Sequence, residues 1–178
     1  YRVGESARKF RHHDEADRWL SAAAELDPSS PLPLRGLVEL RLTENHPEAA
    51  YEAMGRLLDL EDGDEHVELL IRMGDLASGT LRDTARAARH YLLALSERRD
   101  DRKILAKLMQ LYSEEKDWRK LTKVILKISE LVDEPRQKAK YLHTAAMIAS
   151  REMHDPTQAS ELLQQALEFD PTFEDARN

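Results

Sequence analysis

Five times along the chain, a small or apolar residue is followed by apolar residues four and seven positions on, and by a proline or aspartate twelve positions on. The copies run Ala16, Leu20, Ala23, Pro28; Ala50, Met54, Leu57, Asp62; Ala88, Leu92, Leu95, Asp100; Leu121, Ile125, Ile128, Asp133; and Ala159, Leu163, Ala166, Pro171. Steps of four and three keep side chains on one face of a helix, because a turn takes about 3.6 residues, and the breaker then ends the helix. The copies start at residues 16, 50, 88, 121 and 159, so their periods are 34, 38, 33 and 38 residues. A self-similar helical pattern of this length is the mark of a repeat array, and it restricts the chain more than any single motif does.

Ahead of four of these copies lies a second apolar pattern: Leu34, Leu37, Val38; Leu70, Met73, Gly74, Ala77; Leu105, Leu108, Met109, Tyr112; and Leu142, Ala145, Ala146, Ala149. Each predicts the first helix of a hairpin whose second helix carries the ladder. Leu34 precedes Ala50 by 16 residues and Leu105 precedes Leu121 by 16, whereas the other two separations are 18 and 17. The extra residues fall in turns, where added length costs little closure entropy. Asp14, Asp83, Asp117 and Asp155 are placed to cap second helices, and Pro47 and Pro156 suit a first helical turn. Ser30 before Pro31 and Asp133 near Pro135 mark first-helix starts.

Composition agrees. Aromatic residues make up 6% of the 178 and charged residues 34%, with six Gly and seven Pro, which favours helix over sheet. The net charge of −7 works against nucleic acid as a partner, since phosphates are neutralised by clustered Lys and Arg. There is no cysteine, hence no disulfide frame and no thiolate chemistry, and the compartment stays open with the cytoplasm favoured. No apolar run approaches the length that spans a bilayer, so no membrane insertion is expected.

This pattern resembles the tetratricopeptide repeat family, whose consensus of W-x2-L-G-x2-Y, then A-x3-F, then P, is met in part over nearly the whole chain. Gly74 and Gly4 take the small slot of the first helix, Tyr112 the aromatic one, and Leu34, Leu70, Leu105 and Leu142 stand where the family has Trp. Trp19 and Trp118 lie in second helices instead. The ladder alanines let paired helices approach closely, with Leu121 as the exception. The resemblance implies an all-α, right-handed superhelical solenoid of antiparallel helix pairs, one domain over 1–178. Its repeats are expected at 1–29 (truncated), 30–63, 64–101, 102–134 and 135–172, with a further helix starting at 173–178. Val3-Gly4 fits the middle of a first helix and Thr172 with Asp175 a helix-opening box, so a piece of a longer array is expected.

Nothing in the sequence demands catalysis. Its histidines show no His-Glu-x-x-His arrangement, and His12, His13, His46 and His154 fall in expected turns, so neither a metal nor a cofactor is expected. Glu114, Glu115, Asp100 and Asp101 have the context of loops and not of a buried acid–base pair. The basic stretch around Arg82, Arg86, Arg89, Arg98, Arg99 and Arg102 is interleaved with acids, which predicts a salt-bridged surface.

The resemblance further implies a concave surface lined by first helices, where an extended peptide or a partner helix lies. Outward from the apolar faces, the groove candidates are Arg35, Glu39, Ile71, Asp75, Lys103, Gln110, His143 and Met147. Lys103 and Lys107 are spaced to grip a peptide carboxylate, but Glu39 and Arg72 stand where amides are needed, and Glu39 would repel it. The expected function is therefore a protein-binding scaffold with no catalytic site. The alternatives are a docking or regulatory arm of a larger enzyme or transcriptional regulator, and a homo-oligomer built through terminal repeats.

Overall fold

The computed structural model describes residues 2–172, and over 2–11 it describes the helical path only. Nine α-helices and no strand occur among the described residues: α1 (Arg2–Leu26), α2 (Pro31–Thr43), α3 (Pro47–Leu58), α4 (Gly63–Gly79), α5 (Thr84–Glu97), α6 (Arg102–Glu114), α7 (Trp118–Glu130), α8 (Pro135–Arg151) and α9 (Pro156–Phe169). They pack into two compact units, residues 1–94 and 95–178, with the last turn of α5 crossing the boundary. In the first unit α2 packs on α1 and α3, and α3 on α4; in the second α7 packs on α6 and α8, and α8 on α9. Within each unit these helices bury faces against their sequence neighbours, which is how hairpins too thin to stand alone become stable. None of these helices is long and apolar enough to cross a membrane.

The starts of the helices follow from the sequence. Pro31, Pro47, Pro135 and Pro156 each sit in a first helical turn, where the missing N–H leaves no bond unmade. The Asp117 and Asp155 carboxylates accept from the amides of Lys120 and Gln158 at 3.2 and 2.9 Å, and Asp83 accepts from that of Arg86 at 2.9 Å. Before each second helix one residue takes the left-handed conformation: Asn45, Arg82, Lys116 and His154, with φ between 53° and 59°. The expected turn at His12, His13 and Asp14 does not form. α1 runs through it, and Asp14, inside the helix, caps nothing. The further helix expected at 173–178, with Asp175 of its box, lies outside the described residues, and at Gly4 only the helical path is described.

The ladder is buried as expected in α3 (Ala50, Met54, Leu57) and α7 (Leu121, Ile125, Ile128). In α1, Ala24 is buried while Ala16, Leu20 and Ala23 are half-buried. In α9 Leu162 is buried beside Ala159 and Ala166, and Leu163 only half. In α5 the expected ladder is one residue out of register. Ala87, Tyr91 and Ala94 are buried, while Ala88 and Leu95 are half-buried and Leu92 is 50% exposed. The reason is the helix start: the Ala87 amide donates to the Asp83 carbonyl, as those of Ala50, Leu121 and Ala159 donate to His46, Asp117 and Asp155. With Ala87 leading the ladder, Leu70 precedes it by 17 residues, as Leu142 precedes Ala159. The turns then alternate. His46 and Asp117 donate to carbonyls five residues back (Arg41, Tyr112), whereas Asp83 and Asp155 donate to those six back (Ala77, Ala149).

The corrected register sets the Tyr91 ring against Gly74, where an added Cβ would stand 2.4 Å from a ring carbon. Tyr91 is 3% exposed and held through its hydroxyl, so it cannot swing aside. Gly74→Ala is therefore expected to destabilise the chain by about 1–3 kcal/mol in urea unfolding. Gly55→Ala in α3, where nothing lies within 4 Å of the new methyl, should be neutral or stabilising by up to about 1 kcal/mol. Equal effects at the two glycines would contradict this packing.

Candidate functional site

In the first unit α2 and α4 flank a concavity of about 590 Å³. α2 contributes Arg35, Val38 and Glu39, one face repeating at three and four residues; the end of α3 contributes Leu57, and the following loop Glu61. α4 supplies the opposite wall, including Ile71, Arg72 and Asp75, and its N-terminal half brings Asp64, Glu65 and Glu68. Val38, Leu57 and Leu69 form the apolar floor, each at least nine-tenths buried, and Ile71 is half-buried beside them.

Ion pairs tie the walls together. Arg35 donates through Nε at 2.9 Å and a terminal nitrogen at 2.7 Å to one oxygen of Glu61, and Arg72 donates to Glu39 at 2.5 Å. The Arg72–Glu39 pair is well exposed, so it orients the walls more than it stabilises them, by about 0–1 kcal/mol. Asp75 is held from behind: the Tyr91 hydroxyl donates to it at 2.7 Å. Burial pushes that hydroxyl far above the usual tyrosine range, with the Ser78 hydroxyl opposing and the Asp75 carboxylate adding to the shift, so it remains a neutral donor.

Four of the eight groove candidates, Arg35, Glu39, Ile71 and Asp75, line this one concavity. The other four lie on the second unit. Lys103 and Gln110 are exposed on α6, with Gln110 donating to Glu114 at 2.9 Å, and His143 and Met147 are half-buried on α8. A second concavity of about 450 Å³ lies there between α6 and α8, lined by Ala106, Met109, Ile128, Val132 and Tyr141 with the charged Arg102, Asp133 and Glu134, and by none of these four candidates. Sequence reasoning missed Tyr141, Met109 and Ala106. Counting on from Leu105 as Arg35 follows Leu34 leads to Ala106, an alanine with no chemistry of its own to draw notice.

Outside the concavities the charged groups are engaged structurally. Asp101 caps α6 through the Lys103 amide at 2.8 Å, Asp100 pairs with Lys127 at 3.0 Å, and Arg86 bridges Asp83 and Glu48 at 2.7 and 2.9 Å. Arg41 clamps α2 to α1 through Asp17 at 2.8 Å, which lowers the Asp17 carboxyl below its usual range. Among the described residues no three His, Asp or Glu side chains converge as metal ligands. One buried titratable pair stands out: His90, 8% exposed on α5, meets the Tyr51 hydroxyl at 2.5 Å through Nε2, while its Nδ1 has no hydrogen-bond partner.

The fold is that of tetratricopeptide-type proteins. YrrB, a TPR protein with an unusual peptide-binding site, superposes with a TM-score of 0.54 at 15% identity, over 97% of this chain and 86% of that one. MamA superposes at 0.53 and 15%, over 99% of this chain and 98% of its own, and MamA from Desulfovibrio magneticus RS-1 at 0.51 and 18%, over 97% and 94%. No protein-family model and no curated protein matches the sequence.

Burial, and then the neighbouring Arg89 charge, holds the His90 pKa below its ordinary 6.5. The unfolded chain therefore binds this proton more readily than the folded one, and stability is lost as pH falls below that value. Relative to His90→Gln, the native chain should lose up to about 1.4 kcal/mol per pH unit on acidification below about 6.5, read by urea unfolding. Parallel pH profiles for the two proteins would refute the assignment.

Proposed function

We propose that the chain is a non-catalytic protein-interaction scaffold that takes a peptide segment or partner helix in the concavity between α2 and α4. The observation that carries this reading is the convergence of Arg35, Glu39, Ile71 and Asp75 from two first helices onto one apolar-floored recess. Pockets of this kind, with a small apolar patch and a few fixed polar groups, suit side-chain recognition. The fold shared with YrrB, which has a peptide-binding site, supports the reading. So do three of its carboxylates: Glu39, Glu61 and Asp75 are hydrogen-bonded to Arg72, Arg35 and Tyr91, an arrangement that fixes the shape of the walls. On the second unit, Lys103, Gln110, His143 and Met147 are assigned to the same kind of surface.

The test is selection of peptides from a displayed random library on the purified chain. The selected peptides should lose about tenfold or more in affinity on Ile71→Gln and keep it on Glu52→Gln, an exposed position of α3 outside the recess. Selection of nothing, or of peptides indifferent to Ile71→Gln, would end this proposal.

A further inference from the structure

The two concavities occupy equivalent places, each between consecutive first helices and over the last ladder residue of the intervening helix, Leu57 in one and Ile128 in the other. Their charge differs in degree: the second is lined by two carboxylates, Asp133 and Glu134, and one guanidinium, Arg102. Counted from Leu70 and Leu142, the α4 residues Asp64, Glu65 and Glu68 correspond to Arg136, Gln137 and Lys140 of α8. Counted likewise, Glu39 corresponds to Gln110, and Asp75 to Met147. The same hairpin geometry is thus built with neutral or cationic residues at all five positions, so the fold does not require carboxylates there. The first concavity is lined by six carboxylates and two guanidiniums, an excess of negative charge.

Resting on the docking function proposed above, we infer that the occupant of the first concavity is a lysine- or arginine-bearing protein segment with an apolar side chain between its cationic residues. The apolar residue sits on Val38, Leu57 and Ile71, and the cationic ones meet the carboxylates of α4 and Glu39. A recess with an excess of charge of one sign focuses the field and favours partners of the other sign, and it disfavours a terminal carboxylate. The second concavity, where Ala106, Met109, Val132 and Tyr141 stand with two carboxylates and one guanidinium, offers less of this selection.

The probes are three fluorescein-labelled peptides that share their leucines and carry lysine, glutamine or glutamate at every other position, titrated by anisotropy at low and at physiological salt. The lysine peptide should bind about tenfold or more tighter than the glutamine peptide, with the gap narrowing as salt rises. Glu39→Gln with Glu65→Gln, which also releases Arg72, should weaken the lysine peptide about tenfold, whereas Glu52→Gln with Glu161→Gln outside the recess should not. Equal loss in both double variants would mean diffuse attraction to an acidic protein and would overturn the inference. Tighter binding of the glutamine or glutamate peptide, still sensitive to Ile71→Gln, would overturn the cationic partner and leave the docking function standing. Binding of no peptide in an Ile71-sensitive way would end both.

Discussion

Where a second helix begins decides which of its faces is buried. In four hairpins the amide of the first ladder residue donates to the carbonyl of the residue that opens the helix: Ala50 to His46, Ala87 to Asp83, Leu121 to Asp117 and Ala159 to Asp155. That bond places a small residue, or Leu121, against the partner helix, and the periodicity of the helix then buries the residues four and seven positions on. The left-handed residue just ahead of each start, Asn45, Arg82, Lys116 or His154, turns the chain back so that the faces meet. For three of these, none of them Gly or Asn, the backbone strain is borne by the packing it makes possible.

Most of the fold was legible from the ladder and its breakers, because burial in a repeat is periodic and a period survives weak sequence similarity. The miss in α5 is instructive. Ala87 and Ala88 both fit a small slot, and Leu92 and Leu95 fit a ladder better than Tyr91 and Ala94 do by hydrophobicity alone. The helix opener settles the choice: the ladders of α3, α7 and α9 start four residues after His46, Asp117 and Asp155, and from Asp83 that count reaches Ala87. The continuous α1 had no such arbiter. Asp14 is as good a cap by type as Asp117, and the nine residues before each hold no Gly, Pro or Asn, so local sequence does not tell the two apart.

The site was half legible for a related reason. Arg35 and Ile71 each directly follow an anchoring leucine, and Glu39 and Asp75 stand one turn on, so projecting the face was enough to find them. Glu61 lies in a loop, outside any helical count, and Arg72 shows its part only once it is seen to bridge to Glu39. The wall also depends on the α5 register. Tyr91 reaches Asp75 because it, and not Leu92, points inward, so the position of a groove carboxylate is fixed by a helix start eight residues before the tyrosine that holds it.

That dependence is open to direct measurement, since the chain has no cysteine to interfere. Single variants Ala87→Cys and Leu92→Cys, exposed to a thiol reagent under native conditions, report which face of α5 is buried. The structure predicts that the cysteine at 92 reacts nearly as fast as in the unfolded chain and the one at 87 about a hundredfold more slowly or less, limited by opening of the fold. A protected cysteine at 92 with a reactive one at 87 would contradict the register, and with it the wall of the groove.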